Sequence, residues 1–135
     1  MPIHYGSGGV GNSQHLLGEL INKRTGAKLV HLPFKGVDQA TVAAMSGESQ
    51  IVIHNSAPML PHVRAGRVRG LAVTIAKRLS SYPDLPTVAE AGVPGYEATQ
   101  WFGLLAPAGT PPEIIERLQR ETKAVLDMPS MKERL

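Results

Sequence analysis

Strand-like and helix-like segments alternate along the first half of this 135-residue chain. Ile3–Tyr5 is apolar at alternate positions, which indicates a strand, and it leads directly into the glycine-rich run Gly6–Gly11. Asn12 is a good helix N-cap and Gly26 a good helix stop. The positions that share one face of the helix between them are Ser13, Leu16, Leu17, Leu20 and Ile21. The chain is therefore predicted to begin with a strand, a glycine loop and a helix.

The same alternation continues through the middle of the chain. The predicted elements are a strand over Lys28–Phe34, a helix over Val37–Met45 ending near Gly47, a strand over Gln50–His54, a helix capped by Asn55 or Ser56 with Pro58 in its first turn and Gly66 at its end, and a strand over Arg69–Ile75. Strands that alternate with short helices are typical of βαβ units. The pattern predicts an α/β fold with a mainly parallel sheet flanked by helices.

The last part of the chain follows a different pattern. Lys77–Pro86 is a polar loop, and Thr87–Glu90 has a capping-box sequence, which predicts a helix that Gly92 ends. Thr99–Ala106 is predicted to be a strand. Two further capping boxes stand at Thr110–Glu113 and Ser130–Glu133. A long helix is predicted after the first of them, with an apolar face made of Ile114, Ile115, Leu118, Val125 and Leu126. Since the last capping box stands at the end of the sequence, we expect the chain to be part of a longer protein.

Composition narrows the function classes. The chain is 42% hydrophobic and 19% charged, which is typical of a globular domain that needs neither metal nor disulfide. The net charge is +3, but Lys and Arg form no run and aromatic residues are few, so nucleic-acid binding is not indicated. Without cysteine, thiol chemistry is excluded. No stretch has the pattern of a membrane span, and Met1–Tyr5 lacks the features of an export signal.

The glycine loop is the main candidate for chemistry. Gly6–Gly11 matches the GxGxxG pattern, but a dinucleotide site also needs an acidic residue at the end of the next strand, and Val30–Lys35 has none. Free N–H groups at a helix N-terminus favour any anion, so a carboxylate would suit as well as a phosphate. Ser7, Asn12 and Ser13 add hydrogen-bonding side chains. The alternative is a tight turn in which Asn12 and Ser13 only cap the helix.

Two further strand-to-helix turns, Phe34–Gly36 and His54–Ser56, should emerge beside the glycine loop, because ligands in open α/β sheets bind at the carboxyl ends of the strands. Lys35 would bring positive charge, although a lone Lys at a turn is commonly plain surface. Asn55 and Ser56 are equally suited to be simple caps. We expect the three turns to converge.

The sequence does not indicate an enzyme, a metal site or a bound cofactor. The five histidines lack the HExxH spacing, no nucleophile elbow is present, and no pair of acids is placed by a motif. His15 lies inside the first helix and His31 inside a strand. Both are interpreted as packing residues or as residues that support a site.

The order of motifs carries a resemblance to a known family. The runs concerned are Tyr5–Leu16, Val30–Gly36, Leu60–Gly66, Arg69–Thr74, Pro83–Tyr96 and Trp101–Pro111. Together they resemble the substrate-binding receptors of tripartite tricarboxylate transporters, the Bug-type family. The resemblance extends over nearly the whole chain, and it involves several motifs in order.

The resemblance implies a two-lobed periplasmic receptor of which this chain is the later part. Residues 1–97 would form the second, ligand-binding lobe, with the fold of a type II periplasmic binding protein. Residues 98–135 would be a crossing strand and a C-terminal helix that pack on the first lobe. Such receptors capture a small organic carboxylate without turnover and pass it to membrane transporter subunits.

The resemblance also implies which residues face the ligand. These are Ser7, Gly8, Gly9, Val10, Gly11, Asn12, Ser13, Lys35, Gly36, His54 and Asn55. The chain departs from the family at two of them, since the family more often has Asp where this chain has His54 and Thr or Ser where it has Asn12. The type of contact at these two positions is therefore open.

Two other hypotheses stay open on the sequence alone. The first is an incomplete receptor that binds nothing tightly and associates, as a homodimer, through the apolar face of its C-terminal helix. The second is a nucleotide-dependent enzyme built on the glycine loop, which the missing acid after the second strand disfavours.

Overall fold

A computed structural model describes residues 2–132 of the chain. It separates into two compact units, Met1–Gln100 and Trp101–Leu135. The assignment of residues 1–97 and 98–135 to two receptor lobes stays a prediction. Within residues 2–132, no helix has the length and apolar character needed to cross a membrane.

The first unit is built on a three-stranded parallel sheet. Its strands are β1 (His4–Ser7), β2 (Val30–Pro33) and β3 (Ile51–Val52), in the order β2-β1-β3. Tyr5 of β1 pairs with His31 of β2 on one side and with Ile51 of β3 on the other. The predicted α/β class with a parallel sheet is confirmed.

Three helices connect or follow these strands: α1 (Ser13–Thr25), α2 (Val37–Ser46) and α3 (Ser56–Arg64). The predicted caps of α1 are confirmed, because the Asn12 side chain accepts a hydrogen bond from the N–H of His15 at 2.9 Å and Gly26 adopts the left-handed conformation at φ 71°. Each helix begins a few residues after a strand ends. All three helix N-termini therefore follow the carboxyl ends of strands.

The core of the first unit is centred on Tyr5. The Tyr5 ring packs directly against Gly18 of α1, where an added Cβ would lie only 2.3 Å from a ring carbon. Consequently the buried residues of α1 are Gln14 and Gly18. The face predicted from the sequence is wrong at Leu16, which is 61% exposed. Close packing on the Tyr5 ring requires glycine at position 18, outside the predicted face, while the other four residues of that face are half-buried.

The segment that ends the first unit returns to α1. Tyr96 is 2% exposed, and its hydroxyl donates a hydrogen bond to the carbonyl oxygen of Leu17 at 3.3 Å. Two residues later, the N–H of Ala98 donates to the carbonyl oxygen of Thr74 at 2.9 Å. These contacts join residues distant in sequence and complete the core.

Two predicted elements of the first unit are reduced in the structure. The strand expected over Arg69–Ile75 is wrong, because only an isolated parallel bridge between Val73 and Thr87 forms there. The capping box that follows does form, with the Thr87 N–H bonded to the Glu90 carboxylate at 2.8 Å and the Glu90 N–H to the Thr87 hydroxyl at 3.1 Å. It closes a turn and no helix follows, since Gly92 interrupts the chain within the same turn.

The second unit contains α4 (Pro112–Leu126) and α5 (Pro129–Lys132). The long helix is confirmed, but the capping box predicted before it is wrong, because the Thr110 hydroxyl donates to the carbonyl of Pro107 instead. The strand predicted over Thr99–Ala106 is also wrong. Among the described residues no strand pairs with it, so its backbone groups are left to solvent. The last predicted capping box includes Glu133, which lies outside the described residues.

Candidate functional site

The candidate site lies at the carboxyl edge of the sheet, where three turns leave parallel strands. The glycine loop follows the central strand β1, while the Phe34–Gly36 turn follows β2 and the His54–Asn55 turn follows β3. Because all three strands run in parallel, the turns emerge on the same side of the sheet. The sequence predicted this arrangement of elements correctly.

Ser7 ends β1 and fixes the start of the glycine loop. Its side chain is fully buried, and its hydroxyl oxygen lies 2.6 Å from Nε2 of His31. The same oxygen lies 3.1 Å from the carbonyl oxygen of Gly9 and accepts the Gly9 N–H at 3.2 Å. The Ser7 hydroxyl therefore holds the loop in shape, and direct contact of this side chain with a ligand stays a prediction.

The second half of the loop is held from α1. The N–H of Gly11 donates to Nδ1 of His15 at 3.0 Å, and Gly11 adopts a left-handed conformation at φ 81°. By contrast, the N–H groups of Val10, Asn12 and Ser13 form no hydrogen bond with any residue between 2 and 132. Those three groups are among the backbone donors of the loop and the first turn of α1 that remain available to an anion.

The glycine loop and the second turn are packed together. A Cβ added at Gly8 would lie 2.9 Å from the backbone nitrogen of Val37 and 3.3 Å from the carbonyl carbon of Gly36. Gly36 itself has φ 148°, a conformation that side-chain-bearing residues rarely adopt. The two glycines thus allow a close approach of two backbones, and this contact joins the predicted site residues of the first two turns.

The third turn meets the second through a histidine and a carboxylate. The His54 side chain is 6% exposed, its Nδ1 accepts the N–H of Asn55 at 2.7 Å, and its Nε2 lies 3.9 Å from the exposed carboxylate of Asp38 in α2. Burial lowers the pKa of His54, and the nearby Asp38 opposes this shift. His54 therefore favours its neutral form at this edge. Asn55 precedes α3 without a side-chain capping bond.

Electrostatics at the edge favour an anion near α1. The first turn of α1 contains no acidic residue, so the positive end of its helix dipole is not compensated. The Lys35 side chain is exposed and pairs with no carboxylate among residues 2–132. The first turn of α2, however, carries Asp38. An anion is therefore better placed at the glycine loop and α1 than at α2.

A hollow of about 410 Å³ lies against α2 and includes Asp38. It is lined by Phe34, Asp38, Gln39, Val42, Ala43 and Glu48. None of the predicted ligand-facing residues lines it. The predicted ligand-facing residues thus lie along an open edge of the sheet in this chain. Among residues 2–132, no group of side chains has the composition of a metal site.

Sequence reasoning missed one member of the site and described two others as supporting residues. Asp38 was not predicted, although an acidic residue in the first turn of the helix after Gly36 was a usable signal. His15 and His31 were interpreted as packing or supporting residues, and the structure confirms this by stacking their rings with centroids 3.9 Å apart. Their hydrogen bonds to the loop depend on contacts between elements that the sequence pattern does not show.

Comparison with known proteins gives consistent matches over this chain. The family model described as the tripartite tricarboxylate transporter family receptor matches residues 2–135. Protein BugT of Bordetella pertussis is 39% identical over 117 residues, which are 87% of this chain and 36% of BugT. The chain thus spans little more than a third of that relative's length.

Solved structures agree with the family match. An R. palustris protein with adipate is 40% identical, with a TM-score of 0.89 over 96% of this chain and 43% of that one. The periplasmic binding protein BugD is 29% identical, with a TM-score of 0.83 over 98% of this chain and 44% of that one. Fold, motifs and sequence agree over nearly the whole chain, which belongs to the receptor family of the tripartite tricarboxylate transporters.

Proposed function

We propose that this chain is the later, carboxylate-binding part of a periplasmic solute receptor. It binds a small mono- or dicarboxylate without chemical conversion, and a transporter in the membrane receives the solute. The observation that carries the proposal is the free edge of the glycine loop, where the N–H groups of Val10, Asn12 and Ser13 face no partner among residues 2–132 at an uncompensated helix N-terminus.

Family membership supports this assignment. A similar protein has been solved with adipate, and another is a periplasmic binding protein. Because backbone N–H groups recognise a carboxylate and not the carbon chain behind it, this edge sets the class of ligand and leaves selectivity to the other contacts. The remaining part of the receptor would supply those contacts and close over the ligand, so this chain alone should bind weakly, with an affinity nearer millimolar than micromolar.

Titration by heteronuclear NMR suits weak binding to an open edge. Adipate and succinate should shift the amide signals of Val10, Asn12 and Ser13, whereas adipamide, which has the same length and no charge, should not. The variant Lys35→Gln should retain the response at reduced affinity, because it removes one positive charge beside the loop. Shifts caused only by NAD, or shifts confined to another face, would refute the proposal.

A second candidate function is favoured by the apolar surface of the second unit. Ile114, Ile115 and Leu118 of α4 are between 41% and 50% exposed, and Leu105 is 94% exposed. Such a surface is compatible with an incomplete receptor that self-associates and binds no ligand tightly. Sedimentation of the chain and of the variant Leu118→Glu separates the candidates, since self-association through α4 should be lost in the variant.

A further inference from the structure

Two histidine rings lie directly beneath the glycine loop. The rings of His15 and His31 are stacked with centroids 3.9 Å apart and planes 14° apart, and the Tyr5 ring continues the stack at 5.1 Å from His31. The three residues belong to three elements, α1, β2 and β1 respectively. The stack therefore joins the central strand, its neighbour and the helix that follows the loop.

Each histidine holds one end of the loop through a ring nitrogen. Nδ1 of His15 accepts the N–H of Gly11, which requires that this nitrogen carry no proton. Nε2 of His31 meets the Ser7 hydroxyl, which is in turn bonded to Gly9. The loop between Ser7 and Gly11 is thus tied to the histidine pair at both ends, and Val10, the residue between those ties, is exposed.

Protonation of His15 changes the hydrogen bond at Gly11. An imidazolium ring has two N–H donors and no acceptor, so the N–H of Gly11 would lose its partner and face another donor. The titratable groups that face the pair are Tyr5 from β1, Glu19 from α1 and the two histidines themselves. The pKa of His31 is lowered by burial and next by the charge of His15, with Glu19 opposing. Since the rings are stacked so closely, both cannot easily be charged at once.

We propose that His15 is a positioning residue for the anion-binding loop: the unprotonated Nδ1 of its ring holds the N–H of Gly11 and thereby keeps the neighbouring N–H groups of Val10 and Asn12 in place. The assignment of the ligand as a carboxylate rests on the proposed function. The control of the loop by His15 rests on its hydrogen bond with Gly11. Release of one hydrogen bond should weaken binding about fivefold.

The first test needs no ligand. Imidazole ¹⁵N signals of the whole chain report the tautomer of each histidine, and His15 should have an unprotonated Nδ1 at pH 8. His4 is the internal control, because it lies at the start of β1, away from the loop. A His15 ring protonated at Nδ1 at pH 8 overturns the proposal.

The second test uses matched variants and adipate as the probe. His15→Asn keeps an acceptor near the position of Nδ1, so it should bind adipate within about twofold of the parent at pH 7.5. His15→Leu keeps the volume and removes the acceptor, so it should bind about fivefold more weakly at pH 7.5. Protonation of adipate affects all three proteins equally and cancels in this comparison.

The outcomes separate the two proposals. If His15→Leu binds adipate as tightly as the parent, or if His15→Asn binds as weakly as His15→Leu, His15 does not control the loop. If adipate binds to none of the proteins while Nδ1 of His15 is unprotonated at pH 8, the proposed function fails and the positioning role stands.

Discussion

The substitution Gly18→Ala tests the central packing contact of the first unit. In a helix interior, this change normally stabilises by about 1 kcal/mol, because alanine has the higher helix propensity. Here, however, the new Cβ would lie 2.3 Å from Cε2 and 2.4 Å from Cζ of Tyr5, whose side chain is fully buried. Ordinary contact begins at 3.4 Å, so the ring would have to retreat by about 1 Å into a packed core.

The magnitude follows from these two opposing effects. Forcing an extra methyl group into a packed core costs about 1–3 kcal/mol, and the short contact with the ring places this change at the upper end, while the gain in helix propensity returns about 1 kcal/mol. We therefore expect Gly18→Ala to lower the free energy of unfolding by about 2 kcal/mol.

Urea unfolding followed by far-ultraviolet circular dichroism measures this change as a lower midpoint with an unchanged slope. The matched control is Gly70→Ala, where the added Cβ meets only the ends of two aliphatic side chains, Leu85 at 3.1 Å and Val63 at 3.4 Å. That variant should stay within about 0.5 kcal/mol of the parent. A Gly18→Ala variant as stable as the parent would show that Tyr5 does not pack on α1 as described.

Three further predictions concern the loop, the turn at Thr87 and the buried histidines. Gly8→Ala should abolish the adipate-induced amide shifts while the far-ultraviolet spectrum is retained, because its Cβ meets the backbone of the neighbouring turn at 2.9 Å; an unchanged titration would contradict this. Thr87→Ala should lower the free energy of unfolding by about 1 kcal/mol, measured as a lower urea midpoint, since the N–H of Glu90 loses its capping partner, and Thr87→Ser should recover most of that loss. The pKa values of His31 and His54 are lowered in the fold by burial, so the unfolded chain binds more protons; stability should be full above pH of about 6.5 and should fall as the pH decreases below it. Equal urea midpoints at pH 8 and pH 5.5 would count against that shift.

Local signals were sufficient for the elements around the site. The cap at Asn12, the stop at Gly26 and the alternating strand before the glycine loop are all decided by neighbouring residues, and each is confirmed. The convergence of the three turns followed from the parallel sheet alone. What the sequence could not show is how much of the loop is already bonded to itself, since the partners of Ser7 and Gly11 depend on tertiary packing.

Two of the wrong predictions share one physical cause. A strand pattern specifies a backbone that needs a partner, and Thr99–Ala106 has none among residues 2–132. The exposure of Leu16 in α1 follows from packing against the Tyr5 ring of another element. In both cases the sequence describes a local tendency and a distant partner decides the outcome. The capping box at Thr87 differs, because its hydrogen bonds only close a turn that the nearby Gly92 ends.

The contact between Tyr96 and Leu17 also constrains the order in which the protein can be completed. The hydroxyl of Tyr96 reaches a carbonyl 79 positions earlier in the chain. During translation, therefore, β1, α1, β2 and α2 leave the ribosome well before the residue that completes their core, because synthesis proceeds from the N-terminus. In a nascent chain that pauses after α2 and before Tyr96, α1 is only partly covered. The chain is most accessible to proteases or to a chaperone at that stage.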